Sequence, residues 1–291
     1  MVRHVTLEGG LSLAYKHTQH PSKASVVCFG GFTSEMKGKK ASSLFSYCEH
    51  HKIDCVVFDY LGHGVSGGDF NKCTLHDWYN SCLHIVAHVK RETFDRPLIL
   101  VGTSMGGWLM LHVAMSSFAG GIHGLIGLAA APDFTESLVL SEQEKAEIIE
   151  TKKATSYVKR MQGVVGLSPR SLSAENVNTS EKHSMHILET GGEVTILKNG
   201  KGYDINNRIL TSGRDYLVLN RTELPIDCPM VLIHSVNDEV IPYKSSLEIA
   251  HKVRTQNVEV ILTKNGDHLL NDQQSLGIAY NAIQNFIESV N

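Results

Sequence analysis

Short apolar runs recur at residues 25–29, 55–60, 98–103, 124–131, 230–235 and 258–263, with helix-period stretches between them. Runs this short cannot cross a bilayer, which takes roughly 18 to 20 apolar residues. They suit strands covered on both faces, as in a parallel sheet. Between them Leu75, Trp78, Cys82, Ile85 and Val89 repeat at spacings of three and four, as do Leu276, Tyr280, Ile283, Ile287 and Val290. Those spacings predict amphipathic helices. Segments 2–7 and 11–16, around Gly9-Gly10, predict an edge hairpin. The fold class expected is therefore α/β, a mostly parallel doubly wound sheet.

The alternation breaks between about residues 133 and 222. Lys145 to Arg160 has a charged helical pattern, Ser168-Pro169-Arg170-Ser171 interrupts it, and 193–197 and 215–219 alternate in polarity. A long irregular insertion in a regular α/β chain is usually a cap over a site. The expectation is one domain over 1–291 with a cap or lid at approximately 133–222.

The chain has 291 residues, 42% hydrophobic and 20% charged, enough for a substantial core. Its net charge of -3 lacks the basic footprint of a nucleic-acid binder. Six cysteines are scattered without a C-x-x-C pair, which suits a reducing compartment. Residues 1–7 alternate like a strand and resemble neither a signal peptide nor a transit segment, so a cytoplasmic location is expected.

Residues 98–103 lead into Gly102-Thr103-Ser104-Met105-Gly106, and the chain continues as a helical stretch. A G-x-S-x-G turn between strand and helix holds its serine in a strained conformation at the carboxyl end of the sheet. The following helix N-terminus offers unpaired N–H groups to a developing oxyanion. A serine hydroxyl needs a base, and the base needs an acid to orient it. His268 follows the run at 258–263 and Asp238 follows the run at 230–235, in the order Ser, Asp, His. Asp133, after 124–131, is a rival for the acid. The backbone N–H groups of Phe32, after Gly30-Gly31, and of Met105 are the expected oxyanion donors.

Gly30-Gly31-Phe32, Asp59 to Gly67, Gly102 to Trp108, His234 to Asp238 and Asp267-His268 together resemble an α/β-hydrolase. Phe29 to Ala41 and Gly106 to His112 resemble the narrower palmitoyl-protein thioesterase and acyl-glucuronide esterase branch, with its bacterial relatives. The resemblance implies a Ser104/Asp238/His268 triad and cleavage of acyl thioesters or carboxylic esters through an acyl-enzyme. It implies no organic cofactor and no metal. The partner expected is an acylated small molecule or an acyl-protein substrate. Two alternatives stand beside this: an oxyester or acyl-glucuronide carboxylesterase without depalmitoylating activity, and a non-catalytic ligand-binding protein on the same fold.

Other motifs carry less. Gly62-x-Gly64-x-x-Gly67 matches a dinucleotide fingerprint, but no amphipathic helix opens directly after it to seat a pyrophosphate. Gly31 and Gly38-Lys39-Lys40 have the wrong spacing for a phosphate loop. His84/His88 and His183/His186 lack the carboxylate of a metal-binding helix motif, Glu239 reads as solvated, and His234 reads as core. The edge of Lys145 to Arg160 is either a solvated helix or a lid facing an acyl chain.

Overall fold

The structure, a computed structural model, describes residues 1–137, the strands at 185–190, 193–198 and 201–205, and residues 207–290. The strands are β1 (Arg3–Thr6), β2 (Ser12–His17), β3 (Ser25–Phe29), β4 (Asp54–Phe58), β5 (Leu98–Thr103), β6 (Ile122–Leu128), β7 (Met185–Thr190), β8 (Glu193–Lys198), β9 (Lys201–Ile205), β10 (Met230–Ser235) and β11 (Val258–Thr263). The α-helices are α1 (Lys39–His50), α2 (Leu75–Glu92), α3 (Met105–Ala114), α4 (Phe134–Ser137), α5 (Asn207–Arg214), α6 (Lys244–Lys252) and α7 (Gln273–Ser289).

Eight strands form one sheet in the order β1-β2-β4-β3-β5-β6-β10-β11. The β1–β2 hairpin lies at the edge and joins β4 antiparallel, and β4, β3, β5, β6, β10 and β11 run parallel. This is the α/β-hydrolase architecture expected from the sequence. Every residue of β3 and β4 is buried, so their side chains separate by parity to the two faces. Val27, Phe29, Val56 and Leu100 pack with Trp78 and Trp108 on one face. Val26, Cys28, Cys55 and Ile99 pack with Leu44 and Ile283 on the other. At the far edge β11 departs from the continuous-burial expectation, with Leu262 exposed, because an edge strand lacks a neighbour to cover it.

Helix α2 opens on a capping box in which Thr74 and Asp77 satisfy each other's backbone N–H groups. Its buried stripe includes Trp78, Cys82, Ile85 and Val89, as the spacing predicts. Among the described residues no helix is long and apolar enough to cross a membrane.

Between β6 and β10 the chain adds a separate antiparallel sheet, β7-β8-β9. The alternation at 193–197 is a strand, whereas 215–219 is turn and irregular chain. There Asp133 accepts hydrogen bonds from the N–H groups of Val218 and Leu219, both at 2.8 Å, which supplies partners a strand would otherwise provide. The helical pattern at Lys145 to Arg160, Ser168 to Ser171, and His183 lie outside the described residues. The loops after β3, β5, β10 and β11 all leave the carboxyl end of the parallel sheet, where such folds collect their functional groups.

Candidate active site

Ser104 follows β5 directly and has φ 51° and ψ -120°, while the next residue already begins α3. A residue with a Cβ avoids this region, so the surroundings must enforce it. The Ser104 N–H donates to the Leu128 carbonyl at 3.0 Å, and the Ala131 N–H donates to the Ser104 carbonyl at 3.1 Å. Strand and helix approach so closely that a Cβ on Gly102 would lie 2.6 Å from both the Gly106 carbonyl oxygen and Gly107 Cα. Glycine spacing in the motif thus reflects backbone meeting backbone.

His268 Nε2 lies 2.9 Å from Ser104 Oγ, and its Nδ1 lies 2.8 Å from Asp238 Oδ2. The carboxylate can only accept from Nδ1–H, which leaves Nε2 to accept the serine proton. The histidine is 5% exposed and the serine 8%, so this exchange is nearly withdrawn from water. Asp238 Oδ1 accepts from the N–H groups of Val240 and Ile241, both at 2.9 Å. Burial pushes the Asp238 carboxyl up, but bonds from His234, His268 and Ile241 outweigh it and hold the group well below the usual carboxylate range.

The two supporting loops brace each other. Ser235 Oγ donates to the Gly266 carbonyl at 2.9 Å, and Asn237 Nδ2 donates to the Lys264 carbonyl at 2.6 Å. The carboxylate beside His268 is therefore Asp238, while the rival Asp133 is committed to Val218 and Leu219. Burial raises the Asp133 pKa against those two backbone bonds.

The loop after β3 comes against the serine: a Cβ on Gly31 would lie 3.3 Å from Ser104 Cβ. Gly30 is less demanding, since its Cβ would meet only ordinary contacts, the nearest at 3.5 Å. Among the described residues, the N–H groups of Phe32 and Met105 have no acceptor. The loop is fixed from behind. Phe32 packs on Phe70, Trp78 and Phe134 with ring centroids 5.5 to 5.7 Å away. The buried Asp59 accepts from the N–H of Met36 at 2.6 Å and of Val65 at 3.0 Å. The glycine-rich turn at 62–67 thus serves as a clasp on this loop, and only a three-residue 3-10 helix, Phe70–Lys72, follows it before α2. A cavity of about 550 Å³ opens beside Ser104 and His268, and Met36, Lys40, Leu44 and Asn271 help to line it.

Two residues escaped the sequence reading. His234 is core, as expected, but it also touches the acid: its Nε2 lies 3.0 Å from Asp238 Oδ2 and 3.0 Å from the Ile241 carbonyl. Its place four residues before Asp238 at a strand end was the available signal. Lys40 has no sequence signal beyond its place in the mis-spaced Gly31 to Lys40 segment. His84 and His88 are engaged elsewhere, with the Asn80 carbonyl and the Tyr15 hydroxyl respectively, and Glu239 is exposed.

Comparison with known proteins gives the family and the fold. A family model described as serine aminopeptidase, S33, matches residues 20–274. Human palmitoyl-protein thioesterase ABHD10, mitochondrial, is 28% identical over 279 residues, covering 96% of this chain and 78% of that protein. The mouse protein of the same name is 28% identical over 281 residues, covering 96% of this chain and 80% of its own. The solved structure of alpha/beta hydrolase domain-containing protein 10 from mouse superposes with a TM-score of 0.73 at 26% identity and covers 100% of both chains. A putative hydrolase from Agrobacterium vitis shares the fold, with a TM-score of 0.72 at 24% identity over 99% of this chain and 98% of that one. With the family model spanning most of its length, the chain belongs to the serine aminopeptidase S33 family of α/β-hydrolases, and it is similar to the ABHD10 proteins along 96% of its length.

Proposed function

We propose that this protein is a serine hydrolase that cleaves acyl thioesters or carboxylic esters through an acyl-enzyme. The observation that carries the reading is the continuous chain Ser104 Oγ, His268, Asp238 at 2.9 and 2.8 Å. Ser104 Oγ attacks the acyl carbonyl carbon while His268 Nε2 takes its proton. The carbonyl electron pair moves onto oxygen, where the Phe32 and Met105 N–H groups stabilise it. As the intermediate collapses, the carbon–sulfur or carbon–oxygen bond breaks and His268 returns the proton to the departing thiol or alcohol. Water, deprotonated by His268, then attacks the ester on Ser104; the acid leaves and the serine recovers its proton. Asp238 stays ionised and orients the imidazole, a role that its low pKa supports.

The relatives named palmitoyl-protein thioesterase favour a long-chain thioester among the possible substrates. The stretch at approximately 133–222 acts as the cap. In support, Trp108 Nε1 and His112 Nε2 of α3 both lie against the Tyr216 carbonyl, at 2.9 and 2.7 Å, tying that stretch to the helix behind the serine. A cytoplasmic location is part of the proposal, and fractionation of the expressed protein tests it against the mitochondrial location in the relatives' names.

The test is steady-state hydrolysis of matched thioesters and oxyesters, with acyl chains of about two to sixteen carbons, by wild type and Ser104→Ala. The alanine variant loses on the order of 10⁴ to 10⁶ in kcat while remaining folded. A rate maximum at long thioesters supports depalmitoylation; one at oxyesters moves the protein to the carboxylesterases. Equal inactivity of both proteins across the series overturns the hydrolase reading and favours a binding protein.

A further inference from the structure

The cavity beside Ser104 contains a cation that the triad does not use. Lys40 lies in the first turn of α1, next to Lys39, and that turn has no acidic residue. Gly38 precedes the helix and supplies no side-chain cap. Two lysines at the positive end of a helix dipole are unfavourable, since helix starts favour acids and capping oxygens. The stem of Lys40 is half-buried, yet its Nζ is fully enclosed and has no hydrogen-bond partner among the described residues. An enclosed, unpartnered amine costs stability. Burial pushes the Lys40 ammonium down to about 7, and Asp267, Asp238 and Asp272 only partly counter this.

None of those acids bonds to it. Asp238 is occupied by His234 and His268, Asp267 accepts from the Leu269 N–H, and Asp272 accepts from the Ser275 N–H at the start of α7 through Oδ1, while its buried Oδ2 has no partner among the described residues and does not reach Lys40. A second buried polar atom without a partner, Asn271 Oδ1, belongs to a residue that lines the same cavity. Apolar Met36, Ala41, Leu44 and Phe58 share the lining with Ser104 and Lys40. The space therefore combines a reacting serine, hydrocarbon walls, and a helix start with an unanswered donor. Local sequence rules broken without a structural gain mark functional positions.

We propose that Lys40 is the specificity-determining residue of this cavity: an acyl chain runs from Ser104 along the apolar wall, and the Lys40 side chain turns about its half-buried stem so that Nζ leaves its enclosure and donates to an oxygen at the far end of the chain. A carboxylate is preferred over a hydroxyl, because the helix N-terminus and the amine both favour negative charge. The inference deepens the hydrolase reading and rests on it.

The experiment measures kcat/KM for p-nitrophenyl esters of straight-chain acids of about four to eight carbons, ending in methyl, hydroxyl or carboxylate. Wild type, Lys40→Met and Lys40→Gln are compared. At its best chain length, wild type prefers an oxygenated ester over the methyl-ended one by about tenfold or more, and the ratio falls to about one in Lys40→Met. Lys40→Gln, which keeps a donor, retains part of the preference for the hydroxyl ester. The melting temperature of Lys40→Met equals or exceeds that of wild type, because the buried amine is gone. If the ratios are the same in wild type and both variants while hydrolysis persists, this inference is overturned and the hydrolase reading stands. If wild type turns over none of the esters and none of the thioesters above, both fall together.

Discussion

His234 Nε2 lies 3.0 Å from Asp238 Oδ2, the same oxygen that His268 Nδ1 reaches at 2.8 Å. Its other Nε2 neighbour is the Ile241 carbonyl, an acceptor, so Nε2 must carry hydrogen, and Nδ1 pairs with the Ser246 hydroxyl at 2.8 Å. His234 therefore acts on the reaction through Asp238, as a positioning residue. Replacing it by Phe keeps the bulk and removes the bond to a buried charge. The expected result is a fall in kcat of about tenfold to a hundredfold with a smaller change in KM. An unchanged kcat in a folded variant would show that the two backbone N–H groups and His268 hold Asp238 without it.

Asp238 and Asp133 occupy similar positions after neighbouring strands but perform different work. Asp238→Asn removes the acceptor for His268 Nδ1–H and should cost on the order of 10⁴ in kcat with little effect on folding. Asp133→Asn keeps an oxygen for only one of the Val218 and Leu219 N–H groups and turns an amide NH2, a donor, toward the other. It should lower stability by about 1 to 2 kcal/mol while kcat stays near the wild-type value. Parallel kinetics and urea denaturation of the two variants decide the matter, and reversed effects would move the acid role to Asp133.

The sheet was readable because burial on both faces leaves a direct trace, a short run with few polar residues, as in β3 and β5. Ser104, His268 and Asp238 were readable because each follows such a run. Helix α1 was not, since it buries only Leu44 and Cys48 and has no capping side chain, so neither period nor cap announced it. The link from His234 to Asp238 was hidden for another reason. A histidine inside an apolar run looks like packing, and the bend that brings its Nε2 back onto the acid depends on Ile241, beyond the strand. Lys40 was hidden because a burial that isolates one atom of a long side chain leaves no periodic signal.

Glycine positions separate backbone necessity from chance. In Gly102→Ala the new methyl meets Gly106 and Gly107 backbone at 2.6 Å, and neither helix nor strand can yield without moving Ser104. A loss of more than about 3 kcal/mol or failure to accumulate as folded protein is expected. Gly277, inside α7, has nothing within 4 Å of its missing Cβ. Gly277→Ala should raise stability by about 0.5 to 1 kcal/mol through helix propensity alone. Thermal melting of both proteins checks the pair, and a stabilised Gly102→Ala would contradict the close approach described for the elbow.

His112 links the elbow helix to acid stability. Burial lowers its pKa to about 4, with the hydrogen bond to the Tyr216 carbonyl opposing and Arg221 assisting. In the unfolded chain the same ring titrates near its ordinary value of about 6.5. Between those two pH values the unfolded state binds more protons than the folded one, so stability falls as pH drops. The contribution is fully present above about pH 6.5 and is lost by about pH 4, on the order of 2 to 3 kcal/mol. His112→Gln can still donate to Tyr216 but does not titrate. The difference in unfolding free energy between wild type and this variant, measured by urea denaturation from pH 7 to pH 4, should shift against wild type by that amount. Parallel curves would mean that the ring takes up its proton without disturbing the fold, and the tie between α3 and Tyr216 would then be carried by Trp108 alone.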